Sequence, residues 1–116
     1  MEYKFTIKSN LDDTVYIIDA EEKFDVLSRF SDAYWTTYKV QEIIDGVDKR
    51  RTNSFNNAYK WANEDIYVLS FEHGVFFTDL LAERAGQKSE KQDLDITHDE
   101  FINFLKDFKK FIEQNS

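Results

Sequence analysis

Cysteine and proline are both absent from the 116 residues, glycine occurs three times and methionine once. Without cysteine there is no disulfide, no thiolate zinc site and no thiol nucleophile, so packing alone must hold the fold. A chain of this length can manage that, because it buries well over half of the surface it exposes when unfolded. Gly46, Gly74 and Gly86 are too scattered to build a phosphate-cradling loop, which excludes P-loop and Rossmann-type nucleotide sites. Long apolar runs are missing as well. No window approaches the roughly 18 uninterrupted apolar residues of a membrane span, and the opening Met-Glu-Tyr-Lys-Phe is no secretory signal. The expectation is a single soluble domain in a reducing, cytoplasmic setting.

Positive charge is also in short supply. Fifteen basic residues face twenty-three acidic ones, a formal net charge of −8, while 16% of the chain is aromatic. So many aromatic side chains can fill a core, which leaves the surplus carboxylates on the surface. A compact acidic surface repels nucleic acid and anionic lipid and steers basic proteins toward it. The short basic run Lys49-Arg50-Arg51 has no interleaved aromatic platform and does not change that balance.

Periodicity divides the chain into elements. Tyr3, Phe5 and Ile7 alternate with Lys4, Thr6 and Lys8 as in a half-buried strand, and the β-rich Thr14 to Asp19 returns antiparallel after an Asn/Asp turn over residues 9–13. Residues 20–30 fit either a helix or a strand. Ser31-Asp32 reads as the cap of a helix carrying Ala33, Thr37, Val40, Ile44 and Val47, with Gly46 an unfavourable interruption. Asn53 or Ser54 then caps a short helix with Phe55, Ala58, Tyr59 and Ala62 on one face. Ile66 to Phe71 and Val75 to Leu80 make a hairpin about Glu72-His73-Gly74, apolar on both faces and therefore central in its sheet. The stretch from Ala85 to Asp93 reads as loose. Thr97 and Glu100 form a capping box ahead of the stripe Phe101, Phe104, Leu105, Phe108, Phe111 and Ile112. The sum is an α+β domain, an antiparallel sheet of about four strands packed by about three helices.

Catalytic patterns are missing. His73 and His98, the only histidines, read as exposed surface residues, and no nucleophile elbow or Ser/Lys dyad is present. The carboxylate pairs sit at turns and caps rather than converging on a cleft. Asp93-Leu94-Asp95 begins like a calcium loop but lacks the glycine and terminal glutamate that such a loop requires. No metal, cofactor or catalytic residue is implied, and the chain reads as a non-enzyme. What remains is acidic clustering in two zones: Glu90, Asp93, Asp95, Asp99 and Glu100, and then Glu64-Asp65, Glu72, Asp79 and Glu83. The expected partner-binding residues are Glu64, Asp65, Glu72, Asp79, Asp93 and Asp95, salt-bridging lysines and arginines of a basic protein. Trp61 is either their packing anchor or a core tryptophan on the short helix.

Two resemblances follow from these residues. Met-Glu-Tyr-Lys-Phe, a central helix, the run from Tyr59-Lys60-Trp61-Ala62-Asn63-Glu64-Asp65 through Leu69, and the closing Asp99 to Leu105 resemble the YacL-type bacterial proteins in their order. In type rather than motif, the small, cysteine-free, acidic chain is similar to immunity proteins of contact-dependent growth inhibition. That likeness implies a partner of the toxin class, a basic C-terminal nuclease domain whose active site an acidic surface would occlude. The YacL likeness implies a housekeeping binding protein, and an acidic nucleic-acid mimic is the remaining alternative.

Overall fold

The computed structural model describes residues 1–9, 13–86 and 94–115, and the turn at 10–12 and most of the stretch read as loose (87–93) lie outside them. The alternating N-terminal segment forms β1 (Tyr3–Ser9), which pairs antiparallel with β2 (Thr14–Ala20), Phe5 opposite Ile18. Residues Glu22–Phe30, ambiguous in sequence, form a 3-10 segment kinked at Phe24, and Phe24, Val26, Leu27 and Phe30 turn into the core. The two-residue strand β3 (Asp32–Ala33) then adds to β2 and completes a three-stranded sheet.

Helix α1 (Thr37–Lys49) follows, capped by Thr36, whose hydroxyl accepts from Lys39 N at 3.1 Å. The expected Ser31-Asp32 cap is therefore corrected. The Ser31 hydroxyl accepts instead from Ile18 N at 2.8 Å, and Asp32 sits in the sheet opposite Tyr16. Of the expected stripe, Val40, Ile44 and Val47 are buried together with Ile43, Thr37 is only partly buried, and Ala33 lies in β3 outside the helix.

A second correction concerns Phe55 to Ala62. Only a 3-10 turn forms at Phe55–Asn57, and Tyr59–Ala62 is strand β4. The spacing of 55, 58, 59 and 62 imitates a helix, but pairing with β5 (Ile66–Phe71) prevails and turns Tyr59 and Trp61 toward the core. β5 and β6 (Gly74–Asp79) are the expected hairpin, with Gly74 at φ +124° just after Glu72-His73. A short helix α2 (Leu80–Arg84) ends it, and β7 (Leu94–Ile96) closes a second sheet of order β4-β5-β6-β7. The expected α+β class holds with three α-helices, and the strands divide between two antiparallel sheets.

Helix α3 (His98–Gln114) carries the expected capping box and ties the molecule together. Its Phe104, Phe108 and Phe111 rings meet Phe5 of β1, and Phe104 also meets Tyr3. Phe101 packs edge-on to Phe77 of the other sheet at 5.1 Å. His98 departs from the exposed position expected of it: partly buried, its ring Nε2 donates to the Phe71 carbonyl at 2.6 Å.

Two positions yield predictions. The Tyr3 hydroxyl donates to Asp107, and burial first, then that bond, raises its pKa well above the ordinary value near 10. Burial raises Tyr59 in the same direction. The unfolded chain ionises these phenols first, so their contribution is complete below about pH 10 and is lost as pH climbs further. Urea denaturation across that range should show a falling midpoint, and Tyr3→Phe should flatten the fall.

Gly46 lies within α1 directly beneath the Tyr59 ring, where an added methyl would collide with it. Gly46→Ala should therefore lose about 1–3 kcal/mol by overpacking, against the roughly 1 kcal/mol gain that helix propensity alone would bring. A raised thermal midpoint in that variant would contradict the packing described.

Candidate functional site

The described acidic residues of the two expected zones are spread over several places, and Glu90 lies outside the described residues. At the β4–β5 turn, the Asn63 side chain accepts from the amides of Asp65 and Ile66, while its own amide donates to Arg29 O. This turn holds Glu64 and Asp65 at the same end of the hairpin as Asp79. Asp65 is paired with Arg84 at 2.7 Å. Asp79 is only 8% exposed; Arg29 Nε donates to both its oxygens at 3.2 Å, and it also caps α2 through Ala82 N. It is therefore a structural carboxylate, already neutralised from within. Glu72 lies at the other end of β5, six residues and about 20 Å away. Asp95 stands on the outer face of β7 opposite Phe76, and Asp93 falls outside the described residues. Of the other acidic residues, Asp99 is held by Arg51 at 3.0 Å and Glu100 is spent in the capping box.

Trp61 leads elsewhere. It lies on a strand rather than a helix, half-buried, stacked on Phe30 at 5.2 Å and on Trp35 at 5.6 Å. These tryptophans line a cleft of about 410 Å³ between β3, the start of α1 and β4, with Asp32, Tyr34, Glu42 and Tyr59 in its walls. Each wall has a local cause. The Trp35 indole is fixed by donating to Phe30 O at 2.7 Å. Tyr34 turns the chain from strand to helix in the left-handed region, at φ +68°, and 71% of it is exposed. A non-glycine residue held there costs about 1–3 kcal/mol, the kind of strain that collects at functional sites. Lys39 Nζ secures the turn through Tyr34 O at 2.8 Å.

The electrostatics of this cleft are negative. Among the described residues neither Asp32 nor Glu42 forms an ion pair, and these two carboxylates outnumber the single cation in the walls, Lys39, whose ammonium also donates to Tyr34 O. The Tyr38 phenol, 72% exposed, bonds to Glu42, and that bond raises its pKa. Glu42 also pushes up the Tyr59 phenol, behind burial as the main cause. Asp32 lines a second depression as well, shared with Ser31, Asn63, Glu64 and Asp65. Glu64 and Asp65 thus continue an acidic strip from Asp32 beside the cleft, Asp65 being paired with Arg84, while Glu72 and Asp95 line neither depression.

Sequence reasoning named Trp61, Glu64 and Asp65 of this strip and missed Asp32, Tyr34, Tyr38 and Glu42. The available signal was Asp32-Ala33-Tyr34-Trp35 directly before the Thr36 cap, with Tyr38 off the buried stripe of α1. A second exposed apolar group lies on the outer face of the four-stranded sheet, where Phe71 touches Phe55 and Phe76. Among the described residues no cluster of three or more His, Cys, Asp or Glu could hold a metal ion, and no helix is long and apolar enough to cross a membrane. The chain matches no protein family, no curated protein and no solved structure at a significant level.

Proposed function

We propose that this chain is a non-catalytic binding protein, an immunity-type inhibitor that neutralises a basic toxin domain, a nuclease in the first instance, inside the cell. The observation that carries the reading is the cleft: stacked tryptophans and exposed tyrosines beside carboxylates that form no ion pair among the described residues. Aromatic anchors that combine large contact area with low entropy cost are what binding hot spots use. Unpaired acids around them favour a cationic protein and disfavour nucleic acid. The basic run supports the same direction, since Arg51 is held between Asp48 and Asp99 and Arg50 donates to Ala58 O. Within the earlier set of interface residues, Trp61, Glu64 and Asp65 belong to the proposed surface, and Asp79 supports it from inside.

The test is protection. Expression of this chain should rescue growth of cells that produce the toxic domain encoded in the adjoining reading frame. The two proteins should also co-purify and separate as salt is raised. Cells dying alike with and without the chain, or no toxic domain encoded beside it, would overturn the inhibitor reading and favour a YacL-type housekeeping role.

A further inference from the structure

Resting on that reading, we infer that the cleft is a receptor for one arginine side chain of the basic partner. Three features select this group. The walls present planar aromatic faces, Trp61 backed by Trp35 together with Tyr34 and Tyr59, and a guanidinium stacks on such faces as a flat cation. Asp32 and Glu42 stand on the cleft wall in no ion pair among the described residues and outnumber its one cation, Lys39, so a cation entering there meets acceptors suited to its fork of donors. Ala33 adds partly exposed apolar lining for the aliphatic stem, with buried Ile43 behind it. The volume, about 410 Å³, falls in the range of small-ligand sites, roughly 300–1,000 Å³. An anion would meet two carboxylates against the one ammonium of Lys39, and a neutral apolar group would leave both carboxylates desolvated and unpaired.

The cleft is also prepared in advance. Trp35 is pinned to Phe30 O, Tyr34 is locked by its left-handed backbone and Lys39, and Phe30 stacks behind Trp61. Little ordering is then needed on binding, which favours recognition of even a single side chain.

The probe is N-acetyl-arginine methylamide, titrated into the full chain while tryptophan fluorescence and the two indole N–H resonances are followed. Saturable changes at Trp35 and Trp61 are expected with a Kd on the order of 1 mM. The citrulline analogue, which keeps the shape but loses the charge, should bind at least about tenfold more weakly. Asp32→Asn and Glu42→Gln keep the local hydrogen bonds and remove the charge, and each should weaken the probe about threefold to tenfold. Tyr34→Ala should do the same without touching the core. Equal binding of arginine and citrulline, absence of saturation, or shifts confined to other residues would overturn the proposal. The inhibitor reading is separable from it. Protection that survives the combined Asp32→Asn, Glu42→Gln change sinks the arginine receptor alone, while probe binding without protection sinks the inhibitor alone.

Discussion

Replacing Phe30 by alanine should remove about 3–5 kcal/mol of stability, the cost expected when a large aromatic ring is deleted from a filled core. Phe30 is fully buried at the end of the 3-10 segment, and its ring meets five others: Trp35, Trp61, Phe77, Phe101 and Phe104. Those rings come from the loop before α1, from two strands of the second sheet and from α3, so the void would open where the layers join. A domain of this kind has roughly 5–15 kcal/mol in total, and the loss would leave it near its unfolding midpoint in mild denaturant. Urea denaturation is the measurement. Phe30→Leu should recover more than half of the deficit by refilling most of the volume. A loss under about 1 kcal/mol for the alanine variant would mean that the cleft wall formed by Trp35 and Trp61 has no such support.

Asp79→Ala should be the next most damaging change, at about 2–4 kcal/mol. Removing one partner of a buried pair strands the other charge and typically costs about 3–5 kcal/mol. Here Arg29 keeps 29% of its side-chain surface in solvent, which softens the penalty. Against that, α2 loses its cap from Ala82 N, a further effect of about 1 kcal/mol. Asp79→Asn keeps a cap acceptor and should fall between the two. A double-mutant cycle with Arg29→Met isolates the pair, and a coupling energy near zero would show that Asp79 acts through the cap alone.

Legibility in the sequence followed how many independent signals agreed at each place. The last helix combined a capping box with an apolar stripe, and it stands as read. The central hairpin combined β-rich runs with a glycine placed for a positive φ. Phe55 to Ala62 offered only spacing, and spacing of four apolar residues in eight positions serves a helix and a strand almost equally. The Ser31-Asp32 cap failed for a related reason, although its helix forms from Thr37: the serine hydroxyl had a competing backbone donor in β2, which no local rule could reveal. The candidate cleft was half visible. Trp61, Glu64 and Asp65 stood out as an aromatic beside a carboxylate pair, whereas Asp32 and Glu42 are ten positions apart and acquire meaning only when β3 and α1 bring them to one wall. Tyr34 could not be read at all, because a left-handed tyrosine looks like any other tyrosine until its backbone is seen.

The seating of Tyr3 and Phe5 on α3 sets an order of events during synthesis. The Tyr3 and Asp107 side chains meet across 104 positions of chain, so the first hairpin leaves the ribosome long before its lid exists. Two strands alone are marginal in water, and their apolar face must wait until the chain has been made past Asp107. Late closure of so distant a contact slows folding and leaves a sticky nascent surface. Chaperone engagement should therefore be strongest on chains stalled just short of α3.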